Sequence, residues 1–267
     1  VDEVKCKRVN TRPGCVVSVS GGVCSAVALL RAVEMFGPDG VLPVFCDTKA
    51  EDADLHRFLD DCDKAFGVKT LRIADGRTLW KVARDVMFIP NSQTGQCSRI
   101  LKRDLFAKLM RDYQPELVVY GFSAEEPERA ERRAKGSEFP CWFPLIDKPI
   151  VCGWDAKRII SELGIEIPSL YRRGYEHNNC GGFCFKAGQR QFAHLLRDNR
   201  CLYLYHEEEE QRMRDFLQQD VSIMKDRSGG AATPLTMRAL RERLDRSPDL
   251  FDETDGGAAC DCMGATE

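Results

Sequence analysis

Cys180-Gly-Gly-Phe-Cys184 places two thiols four residues apart in a loop rich in glycine and asparagine. Cys260-Asp-Cys262 places two more in a glycine-flanked tail. The chain holds thirteen cysteines in 267 residues. Cys15, Cys46 and Cys62 fall in apolar strand or helix contexts and read as small packed hydrophobes. A disulfide scaffold is not expected at this length, so the close pairs read as metal or redox chemistry. Thiolates hold zinc and iron–sulfur centres alike, and spacing alone leaves iron–sulfur, zinc and no metal open. His177, Asn178 and Asn179 read as residues that shape the turn before Cys180; hydrogen bonds to a cluster sulfur or a substrate phosphate are the alternative.

A second chemistry is written in Ser20-Gly21-Gly22-Val-Cys-Ser25, which joins an apolar run to an amphipathic one. Glycines let the backbone turn sharply and approach a ligand. The free N–H groups and dipole of the helix that follows favour an anion, and Ser20 and Ser25 add hydroxyls. The spacing is neither the dinucleotide G-x-G-x-x-G nor the Walker G-x-x-x-x-G-K-[ST]; a plain glycine turn is the alternative. Cys24 reads as a small packed residue at the helix start, with a reactive thiol as the lesser alternative. Asp47 and Thr48 end the second strand, on the sheet edge where such folds bind ligands. A simple helix cap by Thr48 or Asp52 competes with that role. Arg99, Lys102 and Arg103 follow Cys97 and face either an anionic substrate or solvent. The charged run around Arg129, Arg132 and Arg133 reads mostly as solvated surface. The acids after His206 read as suited to a helix N-terminus.

The elements that must position these residues alternate. Strands are expected at Cys15–Ser20, Val41–Cys46, Lys69–Ala74 and Leu117–Phe122. Helices are expected at Ser25–Phe36, Ala53–Phe66, Leu79–Val86 and Ser98–Tyr113. That order argues a doubly wound α/β fold with a mostly parallel sheet covered on both faces. Further helices are expected at Asp155–Leu163, Gln189–Asn199, Tyr203–Gln219 and Thr236–Asp245. The expected plan is a nucleotide-binding core over 13–150 and a helical part over 151–267 carrying the cysteine loop and the tail. Apolar residues make up 43% and charged residues 30%, with a net charge of −3, which excludes a global pull toward nucleic acid. No apolar run approaches the roughly 20 residues of a membrane span. The polar opening Val1–Asn10 does not read as a secretory signal. A cytoplasmic protein without membrane contact is expected.

Ser20-Gly21-Gly22-x-x-Ser25 after the first strand resembles the pyrophosphate loop (PP-loop) of the adenine nucleotide α-hydrolase-like superfamily. That superfamily includes ATP pyrophosphatases, sulfurtransferases and the reductases of adenylylsulfate and phosphoadenylylsulfate. It often carries an acid just before the last serine, where this chain has Cys24. Pro144-Leu145, Trp154-Asp155, Pro168, Leu170-Tyr171, Gly174-Tyr175 and Cys180 follow in the order seen in the reductases, and the resemblance spans about 16–184. It implies adenine-nucleotide binding (ATP, adenylylsulfate or phosphoadenylylsulfate) by Ser20, Gly21, Gly22, Ser25, Asp47, Thr48, Arg99, Lys102, Gly121 and Arg129. Glu51 completes the family's acidic pattern after Asp-Thr. It also implies a [4Fe–4S] cluster on Cys97, Cys180 and Cys184. Cys260 is taken as the fourth ligand; Cys141, Cys152, Cys201 and Cys262 compete for that place. Cys262 is the candidate nucleophile, although the family's own tail context is absent.

The activity implied is thiol-dependent reduction of a nucleotide-bound sulfate, with a thiol reductant such as thioredoxin as partner. The alternative is an ATP-dependent sulfurtransferase, acting by adenylation with a sulfur donor on a nucleic acid or small molecule. The second alternative is a non-catalytic nucleotide- or cluster-binding subunit. Mg2+ is a candidate companion of the nucleotide and a homodimer a candidate assembly.

Overall fold

The computed structural model describes residues 14–91 and 93–247; Cys260 and Cys262 lie outside the described residues. Five parallel strands form one sheet in the order β3-β2-β1-β4-β5. They are β1 (Cys15–Val19), β2 (Val41–Asp47), β3 (Leu71–Ala74), β4 (Leu117–Tyr120) and β5 (Cys141–Trp142). Every residue of β1 is buried, as a strand covered by helices on both faces requires. Helix α1 (Val23–Phe36) follows β1 directly, and α2 (Ala53–Phe66) connects β2 to β3. Asp52 caps α2 by accepting from the Asp54 N–H at 3.0 Å, and Gly67 closes it in the left-handed region at φ 69°, the usual chemistry of the two helix ends. Helix α3 (Leu79–Asp85) precedes the segment carrying Cys97. Since β1 lies between β2 and β4, the chain winds in opposite directions from its two sides. The crevice at the carboxyl ends of β1 and β4 is the switch point where open α/β sheets bind ligands.

The expected helix Ser98–Tyr113 is three pieces: α4 (Gln96–Ser98), a π-helical turn (Arg99–Asp104) and α5 (Leu105–Tyr113). The wide turn carries the neighbouring side chains Leu101 and Lys102 both inward, and such turns recur at functional sites. The charged stretch after Gly121 contains α6 (Pro127–Lys135), which buries only Ala130 and so shows no apolar stripe. Helix α7 (Gly153–Glu162) starts before the expected Asp155. Its cap is Cys152, whose Sγ accepts from the Asp155 N–H at 3.5 Å, while the Asp155 carboxylate accepts from the Cys152 thiol at 3.0 Å. A short helix α8 (Ser169–Arg172) leads to the cysteine loop.

Beyond the loop come α9 (Gln189–Asp198), α10 (Arg200–Leu217), the hairpin β6 (Met224–Asp226) and β7 (Thr233–Leu235), and α11 (Met237–Arg246). The hairpin's strands are too short for alternation to reveal them. Asn199 caps α10 through the Leu202 N–H at 3.1 Å, so the acids after His206 sit in mid-helix and not at its N-terminus. Three of them are buried for structural reasons. Glu207 accepts from Arg241 at 2.8 Å, Glu209 from Arg212 at 2.6 Å, and Glu210 from the N–H groups of Ile223 and Met237 at 3.0 and 2.6 Å.

Two apolar clusters sandwich the sheet, one with α1, α2 and α7 and one with α5. A third joins α3, the cysteine loop and α9 to α11. Within it the Phe183 ring stacks on His206 with centroids 3.5 Å apart, and His206 Nδ1 accepts from the Trp80 indole at 2.9 Å. The cysteine loop is thus anchored on a rigid aromatic core. Among the described residues, no helix is long and apolar enough to cross a membrane.

Candidate functional site

The loop after β1 closes on itself through Ser25. Its Oγ accepts from the Ser20 N–H at 3.1 Å and the Ser20 hydroxyl at 3.2 Å, and donates to the Gly22 carbonyl at 2.8 Å. Gly21 takes φ +80°, and a Cβ there would stand 2.6 Å from Leu55. Gly121 is needed for a different reason. A Cβ at 121 would stand 2.5 Å from Ser25 Cα and 2.7 Å from the Cys24 carbonyl oxygen. Only glycine lets the end of β4 pass this close beneath the start of α1.

These two glycine turns frame a cavity of about 590 Å³, within the size range of small-molecule sites. Ser20, Gly22 and Ser25 line its floor, and Val44, Phe45 and Cys46 form an apolar wall at the end of β2. Gly121, Lys102 and Arg129 complete the predicted residues that reach it. Arg129 lies over the Phe122 ring at 4.7 Å and pairs with Glu126. The other predicted residues lie off the cavity. The Asp47 carboxylate is engaged by the Lys49 N–H and ammonium, each at 2.7 Å. Thr48 donates to Glu51 at 2.9 Å, and Arg99 is exposed on the outer side of the π turn. Gly21 sits behind the loop, where its carbonyl accepts from Asn178 Nδ2 at 2.8 Å.

The acidic lining residues carried no separable sequence signal. Glu125, Glu126 and Glu176 place three carboxylates among the three cations Lys102, Arg129 and Lys157. Trp154 lines the mouth although 75% exposed. Cys24 also lines the cavity; burial first, then Glu126 and Glu125, push its thiol up to about 12. The thiol is therefore held protonated at neutral pH.

The cysteine loop meets the anion loop from the other side. Tyr171 accepts from backbone N–H groups of Val23 and Asn178, which ties the start of α1 to the segment before Cys180. The Tyr175 ring fills the space where a Cβ on Gly182 would stand, 2.7 Å away. The Leu170-Tyr171 and Gly174-Tyr175 motif is therefore the packing that joins the two loops. Asn178 is buried and its Oδ1 has no protein partner.

Cys97, Cys180 and Cys184 come together next to Lys102. Burial first, then Cys184, push the Cys97 thiol up to about 12; Cys180 is raised by burial, by Glu51 and by the other two thiols, with Lys102 opposing. Burial is the largest influence on Lys102 and disfavours its charge, but Glu51 at 3.2 Å together with Cys180 and Cys46 more than offsets it, so its ammonium is held above the ordinary lysine range. Among the described residues, no group of three or more histidine, cysteine or acidic side chains is arranged to hold a metal ion. Cys97, Cys180 and Cys184 are soft sulfur donors of the type that iron and zinc take, and they interact with one another beside the buried Lys102, but they are not grouped as ligands here.

No curated protein matches the chain. Among solved structures it is similar to the phosphoadenylyl-sulfate reductase of Candida auris in its phosphate complex. The identity is 14% and the TM-score 0.47, over 65% of this chain and 84% of that one. The model of the phosphoadenosine phosphosulfate reductase domain matches residues 14–182, which run from the glycine before β1 to the turn between Cys180 and Cys184. The chain belongs to the phosphoadenosine phosphosulfate reductase domain family.

Proposed function

We propose that the protein is an adenine-nucleotide-dependent enzyme of sulfur metabolism that reduces a nucleotide-bound sulfate. The observation that carries this reading is Lys102, which lines the cavity and pairs at 3.2 Å with Glu51, whose other carboxylate oxygen accepts from the Cys180 N–H at 2.7 Å. The anionic end of a ligand and the thiols thus meet at one cation. The loop of Ser20, Gly22 and Ser25 holds the phosphate side through N–H and hydroxyl donors, and the wall at the end of β2 takes the base. A thiolate attacks the sulfur; the sulfur–oxygen bond breaks and its electron pair leaves with the nucleotide. This step leaves a cysteine S-sulfonate. A second thiolate then attacks its cysteine Sγ, forming a disulfide as the bond to the sulfonate sulfur breaks and its electron pair leaves with sulfite. Cys262 is the proposed nucleophile, and a dithiol protein such as thioredoxin the proposed reductant. The reduced thiols suit a cytoplasmic location.

Cys97, Cys180 and Cys184 are the proposed cluster ligands, with Cys260 as the fourth. When bound there, a [4Fe–4S] cluster supplies a charged, redox-active centre beside the sulfur-bearing end of the ligand. Anaerobic purification with iron, sulfide and visible-absorption analysis tests this assignment. About four irons per chain are expected; a colourless, iron-free protein after reconstitution would overturn it.

A second reading, an ATP-dependent sulfurtransferase, is favoured by Glu125, Glu126 and Glu176 in the cavity wall. A polyanion enters a pocket with that many carboxylates more readily as its Mg2+ complex. Pyrophosphate release from ATP in the presence of a nucleic-acid or small-molecule acceptor would favour that reading over the reductase.

A further inference from the structure

Glu51 keeps only 1% of its side-chain exposure, yet three segments converge on it. Lys102 Nζ, from the π turn after Cys97, lies 3.2 Å from Oε1. The Thr48 hydroxyl, from the end of β2, donates to the same oxygen at 2.9 Å. The Cys180 N–H donates to Oε2 at 2.7 Å. One oxygen therefore holds the cavity's buried cation, and the other holds the cysteine loop.

The backbone held by that second bond is unusual. Cys180 has φ +50°, and Gly181 and Gly182 follow at +61° and +90°. A non-glycine residue in the left-handed region is strained and persists only where its surroundings impose it. The Glu51–Cys180 hydrogen bond is one such constraint, and the Tyr175 ring against Gly182 is another.

We propose that Glu51 is a positioning residue that couples ligand binding in the cavity to the conformation of the cysteine loop. This rests on reading the cavity as a nucleotide anion site. Withdrawal of the carboxylate has two effects at once. It removes a negative charge competing with the ligand for Lys102, and it releases Cys180 N. The withdrawn state therefore binds an anion better and holds the cysteine loop less tightly. By linkage, an anion at Lys102 shifts the protein toward that state. A ligand arriving in the cavity thereby frees the Cys180 segment to adjust beside it. Glu51, which belongs to the acidic pattern that the sequence resemblance marks after Asp47-Thr48, lies between the cation and the loop.

Hydrogen exchange read by mass spectrometry on the full chain, with ADP as the probe, tests the coupling. In the unaltered protein, saturating ADP is expected to speed exchange severalfold in the peptide spanning 178–184, while exchange slows around 20–25. In Glu51→Gln, ADP is expected to bind roughly tenfold tighter, since one like charge is gone. Exchange of the 178–184 peptide is then fast with or without ADP. A purely structural role predicts instead that the variant loses affinity along with loop order. Unchanged or slowed exchange at 178–184 on ADP binding overturns the coupling, and so does weaker ADP binding by the variant. The measurement on the unaltered protein decides alone if the variant does not fold. Absence of any ADP binding would overturn the nucleotide reading and this inference with it, whereas ADP binding without the exchange change overturns the coupling only.

Discussion

Alanine at Gly121 probes how the anion loop is seated. The added Cβ would stand 2.5 Å from Ser25 Cα, 2.7 Å from Ser25 N and 2.7 Å from the Cys24 carbonyl oxygen. All three are backbone atoms at the start of α1, so no rotamer change relieves the clash. In a close-packed interior the start of α1 must retreat from β4 by about 1 Å to restore ordinary contact. Overpacking of this kind costs about 1–3 kcal/mol. For a chain of this size that lowers Tm by about 2–12 °C. The retreat also carries Ser25 away from the Ser20 N–H that it holds at 3.1 Å, so ADP affinity falls by about tenfold. Calorimetric melting and titration of Gly121→Ala with ADP measure both effects. A Tm and an affinity equal to those of the parent would refute the argument that α1 is seated on the end of β4.

Ser25→Ala removes the acceptor for two donors in the loop; we expect about 1 kcal/mol of lost stability and weaker ADP binding, read by the same titration. Lys102→Met leaves the buried Glu51 carboxylate without its cation and is expected to cost about 3–5 kcal/mol, seen as a lower urea midpoint. His206 is pushed down to about 3 by burial, against an ordinary 6.5. The unfolded chain takes up the proton first as pH falls, so the contribution is whole above 6.5 and declines toward pH 3, by up to ~1.4 kcal/mol per pH unit. Urea midpoints between pH 4 and 7 measure that slope, and His206→Phe is expected to flatten it.

Much of the parallel sheet could be read from the sequence because its strands are apolar runs separated by helical spacing. The apolar run of β1 ends where Ser20 begins the anion loop, and that boundary is visible in the residue types themselves. The cavity's other wall was less legible. Glu125 and Glu126 lie in a run dense with charge, and only the fold separates cavity-facing carboxylates from solvated ones. Asp47 and Thr48 stand at the right edge of the sheet, but their side chains are engaged by Lys49 and Glu51. Spacing along a strand end fixes the position of a residue and not the partner its side chain finds. The π turn at Arg99–Asp104 has no sequence signature of its own, yet it decides that Lys102 points inward while Arg99 faces solvent. The motif from Pro168 to Tyr175 was visible as an ordered series of residues, but its work became clear only where Tyr171 meets α1 and Tyr175 meets Gly182.

The most direct test of the central claim is turnover of adenylylsulfate and phosphoadenylylsulfate by the full chain, purified anaerobically and supplied with a dithiol. The account predicts sulfite released in step with the freed nucleotide, and loss of that release in Cys262→Ser. Tight nucleotide binding with neither sulfite nor freed nucleotide, under the same reducing and anaerobic conditions, would contradict it.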